Sequence, residues 1–131
     1  MTFLTPLEPQ FRSVLRIIVG FTFSLHGYQK FFGWLGGLGG SKAELASQMG
    51  AAGVLETFGG ALIILGLFTR PTAFILSGQM AIAYFLVHAP QNFLFPILNN
   101  GEITVLYCFT FLWFSAAGPG PWSLDALRSK R

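Results

Sequence analysis

The sequence predicts an all-α protein, an integral membrane four-helix antiparallel bundle with short interfacial segments in the outer loops. Three observations lead there. The 131 residues are 53% hydrophobic and only 10% charged, against roughly 25% charged in a soluble domain, too few to cover a water-facing surface. The apolar residues gather in four runs, at about 11–32, 50–68, 72–88 and 102–117. Between the runs stand Gly-, Pro- and Asn-rich stops, the usual punctuation between helices. With flanking Gly, Ala or aromatic residues, each run reaches toward the ~20 residues that a span requires. At this length the expectation is one domain, residues 1–131.

Each element has its own reason. Met1 to Gln10, with Pro6, Glu8 and Pro9, reads as a short polar lead-in. It has no cationic stretch followed by a small-residue cleavage site, so the first run is expected to stay as a span. Arg12 and Arg16 fall in the first turns of that span, where long side chains can snorkel to the interface. Gly33 to Gly40 holds five glycines and reads as a flexible turn. Ser41-Lys42-Ala43-Glu44 has the pattern of a capping box and predicts a short interfacial helix to about Met49. Thr69-Arg70-Pro71 reads as a tight connection, with Pro71 in the first turn of the third helix. Ala89-Pro90 ends that helix, and the apolar stretch to Asn99 predicts a loop on the membrane surface or folded over the bundle. Asn99-Asn100-Gly101 marks a turn, Glu102 opens the fourth helix where its dipole favours an anion, and Gly118-Pro119-Gly120-Pro121 stops it. Trp122 is expected at the interface.

Charge and cysteine content narrow the function classes. A net charge of +3, scattered or terminal, argues against nucleic acid and fits a lipid bilayer as the surrounding partner. Cys108 is the only cysteine, so no disulfide forms within the chain and no Cys-x-x-Cys pair exists. Redox chemistry would need a bound cofactor, a metal or a redox partner protein.

Four spans put both termini on one side, with Arg12, Arg16, Arg70, Arg128, Lys130 and Arg131. The other side holds Lys30 and Lys42. The positive-inside rule then places both termini in the cytoplasm. In this topology every helix contributes a titratable group to the outer half: His26 and Lys30, Glu56, His88, and Glu102. The cytoplasmic half has little to match them except Arg70 and Gln79. His26 and Lys30 are four residues apart and share a helix face. Gly53, Glu56, Gly60 and Ile63 share another, as do Ser77, Ala81, Tyr84 and His88. Ionisable groups inside a membrane are costly and face the interior or a wet cavity. The expectation is an outward-opening polar pocket, with His26, Lys30 and Glu56 as catalytic candidates and Tyr84, His88 and Glu102 joining them as ligand-binding residues.

That pocket's chemistry suits a quinone head. His26 and Lys30 can hydrogen-bond its carbonyls, Glu56 can take or give protons, and aromatic walls can hold the ring. Other readings of the same residues stay open. Lys30 and Glu56 read equally well as an ion pair tying two helices together. His26 and His88 with Glu56 or Glu102 are metal-ligand types, but no pair has a spacing such as Glu-x-x-His and Lys30 would compete with a cation, so no metal is expected. Arg70 reads as an anchor at a helix C-terminus, and Cys108 as packing.

The ordered set His26-Gly27-x-x-Lys30-x-Phe32-Gly33, Glu56-x-x-Gly59-Gly60, Gly66-Leu67-x-Thr69-Arg70, His88 and Gly118-Pro119-Gly120-x-x-Ser123-Leu124-Asp125 resembles the DoxX family of small membrane proteins. The resemblance covers nearly the whole chain. It implies a four-helix bundle in the bacterial cytoplasmic membrane, related to the membrane subunit of an archaeal thiosulfate:quinone oxidoreductase. It also implies association with thiol, oxidative, quinone or catechol stress. The matching positions are His26, Lys30, Glu56, Arg70 and His88. The leading expectation is therefore a redox-linked membrane subunit binding a quinone or similar small ligand. Beside it stand a non-catalytic scaffold or chaperone-like module whose polar cluster only locks the helices, and a small-solute carrier working as a homo-oligomer.

Overall fold

The computed structural model describes residues 2–37 and 41–130, and it is helical throughout, with no strand among the described residues. A 3-10 segment, Thr2–Leu7, runs straight into α1, Glu8–Phe32. The helix begins at Glu8, ahead of the expected start near residue 11. Pro9 lies in the first turn, where an N–H would have no partner in any case, and Glu8 complements the helix dipole. Gly33, at φ 72°, ends the helix in the left-handed region. Of the glycine-rich turn expected at 33–40, residues 38–40 lie outside the described residues, as do Met1 and Arg131.

The capping box predicted at Ser41–Glu44 starts no helix. The segment turns instead, with Ala43 N–H donating to the Lys30 carbonyl at 2.8 Å and Ser47 N–H to the Glu44 carbonyl at 2.9 Å. The cap is Ser47, whose hydroxyl accepts from Gly50 N–H at 3.0 Å. Helix α2 then runs Gln48–Leu65. The backbone contact that pulls residue 43 onto the end of α1 competes with the local signal and wins. Within α2, Leu55–Gly59 widens into a π-turn.

Helix α3 is Thr69–His88, and its last turn, Tyr84–His88, is a second π-turn. It starts earlier than the expected residue 72 because its first N–H groups are capped from the far end of the chain. Asp125 accepts from Phe68 N–H at 2.9 Å and from Thr69 N–H at 2.8 Å. Helix α4 spans Glu102–Ala117, the residues expected, and α5 is a short helix, Leu124–Ser129. Ser123 caps α5 by accepting from Ala126 N–H at 3.1 Å.

Helix α1 packs along α2, and α3 packs along α4. The α1–α2 contact is close because both helices present glycine there. A Cβ on Gly27 would lie 2.4 Å from Thr57 N, so no larger residue fits without separating the helices. The two pairs meet over a core that includes Phe23, Ile63, Leu76, Phe111 and Phe114. Phe23 anchors it through edge-on contacts with Tyr107 and Phe111, at centroid distances of 5.1 and 4.8 Å. The expected inward face of α2 is buried at all four positions, Gly53, Glu56, Gly60 and Ile63.

The expectation for Arg16 is overturned. Instead of snorkelling outward it is fully buried. Its guanidinium donates to the carbonyls of Ile63, Ile64, Pro119 and Trp122. Those carbonyls lie at the end of α2, where helix ends leave acceptors to be satisfied, and in the loop after α4; the Ile63 carbonyl also accepts from Gly66 N–H at 3.1 Å. Arg12 reaches the Ala117 carbonyl at 2.6 Å and pairs with Glu8 at 2.7 Å. Arg70 donates to the carbonyls of Ser115 and Ala116 at the end of α4, the helix-end role expected of it.

Candidate functional site

At the opposite end of the helices the chemistry changes. Lys30 projects from the last turns of α1, and its Nζ lies 2.6 and 2.8 Å from the two oxygens of Glu56. Glu56 sits in the π-turn of α2 and is 2% exposed, while the Lys30 side chain keeps 22% of its surface. Gln79, from α3, donates its amide to Glu56 Oε1 at 3.1 Å. Three helices therefore converge on one buried carboxylate. The sequence reading put Gln79 in the other half of the molecule; the structure brings it to Glu56. The available signal was a lone amide in an otherwise apolar run, which in a membrane segment must find a polar partner. Gln79 Oε1 and Thr57 Oγ1 are also buried, with no hydrogen-bond partner among the described residues.

His26, one turn before Lys30, is half-buried and packs edge-on against Tyr107 of α4, with ring centroids 6.0 Å apart. The Tyr107 hydroxyl donates to Thr22 of α1 at 3.0 Å. His26 thus lies beside the Lys30–Glu56 pair without a hydrogen bond to it.

Tyr84 and His88 form a separate network, built on the π-turn that ends α3. His88 Nδ1 lies 2.9 Å from the Asn99 carbonyl, and Nε2 lies 3.3 Å from the Thr104 hydroxyl. A carbonyl only accepts, so Nδ1 carries the proton; in neutral His88, Nε2 then accepts from Thr104. Tyr84 stacks on His88 and donates to the Phe93 carbonyl at 3.1 Å. Asn99 is fully buried. Its amide reaches the Tyr84 hydroxyl and the Asn92 carbonyl, and its oxygen accepts from Gly101 N–H at 2.8 Å. These bonds close the loop between α3 and α4. Asn99-Asn100-Gly101 was legible as a turn, but nothing local marks Asn99 as the residue that ties it. Glu102 is exposed in the first turn of α4 and makes no ion pair among the described residues.

Two titratable groups on one helix face could look like a metal site. Among the described residues, however, no three His, Cys, Asp or Glu side chains converge. Two concavities stand out, and both lie away from Glu56. One, of about 520 Å³, is an open groove beside Leu4, Phe11, Arg12 and Trp113; the other, of about 270 Å³, lies between Leu67, Leu124, Leu127 and Arg128.

Outside the long helices, Asp125 has the most perturbed environment. Burial alone would raise its carboxyl. The backbone N–H groups of Thr69 and Phe68 and the charge of Arg128 together outweigh that and hold it below the usual carboxylate range.

Comparison with known proteins places these features in a family context. The DoxX family profile matches residues 11–89, from the first turn of α1 to just past the end of α3. An uncharacterized protein of Haemophilus influenzae is 44% identical over 128 residues, covering 95% of this chain and 96% of that protein. An uncharacterized membrane protein of Mycobacterium tuberculosis is 31% identical over 134 residues, covering 89% of this chain and 80% of that one. No solved structure matches.

Proposed function

The chain belongs to the DoxX family, and from that premise and the geometry above we propose a redox-linked membrane module that binds a small carbonyl ligand of quinone type at the Lys30–Glu56–Gln79 junction. It is a membrane protein. Helices α2 and α3 are long and apolar enough to cross a bilayer, and α4 is a shorter apolar helix. In this proposal α1 and α4 also span, the chain folds as one domain, and both termini face the cytoplasm of a bacterial cell. The arginines at one end and Lys30 at the other support that orientation.

The observation that carries the reading is a carboxylate buried to 2% exposure on a π-turn and shared by a cation and an amide. Such turns recur at functional sites, and an ionisable group at this depth is costly to keep without a role. Lys30 has three N–H donors and gives two to Glu56, which leaves one for a ligand oxygen. Reducing a quinone to a quinol takes two electrons and two protons. In this proposal Glu56 and His26 pass the protons. With one cysteine in the chain, the electrons would come from a partner protein. Titrating purified protein with a short-chain quinone while following tryptophan fluorescence tests the proposal. A saturable response that is lost in Glu56→Gln and weakened in His26→Ala is expected. No saturable response, or an equal one in both variants, refutes it.

A second reading has its own support. Lys30 engages both oxygens of Glu56, and neither concavity opens on the pair. That is what a helix lock looks like. A lock predicts that either single substitution destabilises the fold, that Lys30→Met/Glu56→Leu restores it, and that no ligand responds in any variant.

A further inference from the structure

The loop between α3 and α4 is unlike the rest of the polar end. Phe93, Leu94, Phe95, Ile97 and Leu98 are all exposed, from 58% at Phe95 to 72% at Leu94. In water, five large apolar side chains on one loop would be a liability. Part of the loop's backbone, however, is tied down. Phe95 N–H donates to the Asn92 side chain at 3.0 Å, Leu98 N–H to the Phe95 carbonyl at 2.9 Å, and Gly101 N–H to the Pro96 carbonyl at 3.0 Å. The Asn92, Phe93 and Asn99 carbonyls accept from Asn99, Tyr84 and His88. Proline at 90 and 96 removes two donors altogether. Non-helical backbone is tolerated at membrane depth only where its polar groups face protein, and the paired groups here are tied to Tyr84, His88 and the side chains of Asn92 and Asn99.

Helix length points the same way. With 16 residues, α4 is about 24 Å long at 1.5 Å per residue, short of the ~30 Å hydrocarbon core. The loop joins its short end. Its apolar surface also continues the exposed apolar surface of the neighbouring helices, where Phe85, Leu86, Val87, Ile103 and Leu106 face outward.

We infer that residues 93–98 insert into the lipid of one leaflet, completing the membrane thickness that α4 alone does not reach, with Asn99, Tyr84 and His88 holding the inserted loop shut. The occupant of this surface is lipid acyl chain. The inference rests on the membrane-spanning reading above, so its test carries a control for that reading.

The test places nitroxide labels in a Cys108→Ser background, in protein reconstituted into phosphatidylcholine vesicles. The sites are Leu94→Cys and Phe95→Cys in the loop, Leu106→Cys on the outward face of α4, and Lys130→Cys in the tail. Collision with oxygen, which partitions into lipid, is compared with collision with a water-soluble nickel chelate. The loop labels are expected to resemble Leu106, with a severalfold higher oxygen-to-nickel ratio than Lys130. Loop labels resembling Lys130 while Leu106 stays lipid-like overturn the insertion alone. Loop labels shielded from both reagents also overturn it, since a second copy of the chain would then cover the loop. Nickel access at Leu106 itself refutes the spanning reading.

Discussion

The two ends of the molecule hold their cations in opposite ways. Arg16 is surrounded by neutral backbone carbonyls from α2 and from the loop after α4. Lys30 is held by a carboxylate that can change its own charge. An arginine on carbonyls has no second protonation state to visit, because the guanidinium stays charged and carbonyls do not titrate. It is a fastening. A lysine on a buried glutamate is a pair whose net charge shifts by one with a single proton. The difference separates the end that joins the helices from the end able to do chemistry, and it can be broken experimentally at either side.

The largest effect is expected at Arg16. Arg16→Met removes the donor shared by the end of α2 and the loop after α4, and should cost about 3–5 kcal/mol, the range for breaking a buried charged contact. Loss of folded yield, or a steep fall of Tm in detergent, is the readout. Arg16→Lys should recover only part of it, since an ammonium lacks the planar fork that reaches four acceptors.

Next come the single substitutions at the other end. Lys30→Met strands a buried carboxylate, and a loss of about 2–4 kcal/mol is expected. Glu56→Gln keeps the shape and should cost less. Comparison of their melting curves with that of Lys30→Met/Glu56→Leu shows whether the pair contributes net stability. Recovery in the double variant means that its charges are not needed for folding.

Smaller again is Asn99→Ala, which unties the α3–α4 loop while leaving the helices in place. About 1–2 kcal/mol is expected from the lost buried bonds, with faster amide exchange confined to residues 89–101.

The smallest effect should be Asp125→Asn, about 1 kcal/mol from a weakened helix cap, and it carries a pH signature. The folded carboxyl is held below its ordinary value, so its contribution is fully present above about pH 4, the unfolded value. It is lost as pH falls through the lower folded value. The difference in Tm between wild type and Asp125→Asn should therefore shrink below about pH 4.

The contrast between the two ends also explains what the sequence revealed. The Lys30–Glu56 pair was legible because few charges lie in apolar runs, and helical spacing with small neighbours aims Glu56 inward. The residues of α4 were legible because Gly101 and Gly118 bound them. What escaped was long-range. Asp125 caps α3 from 56 residues away, so α3 starts at a place no local pattern marks. Arg16 is drawn inward by acceptors 47 to 106 residues distant, while local rules point it to the surface. The Ser41–Glu44 box was a sound local signal that lost to a backbone bond with Lys30. Gln79 was seen but put in the wrong half, because its partner is on another helix.

In the proposed function the Lys30–Glu56 end works on a ligand and does more than fasten helices. The most direct measurement is a short-chain quinone titration, read by tryptophan fluorescence, of wild type beside Lys30→Met/Glu56→Leu, with the fold of each checked by circular dichroism. A saturable response is expected in wild type and none in the folded double variant. Identical curves, or no saturable response in wild type, would contradict it.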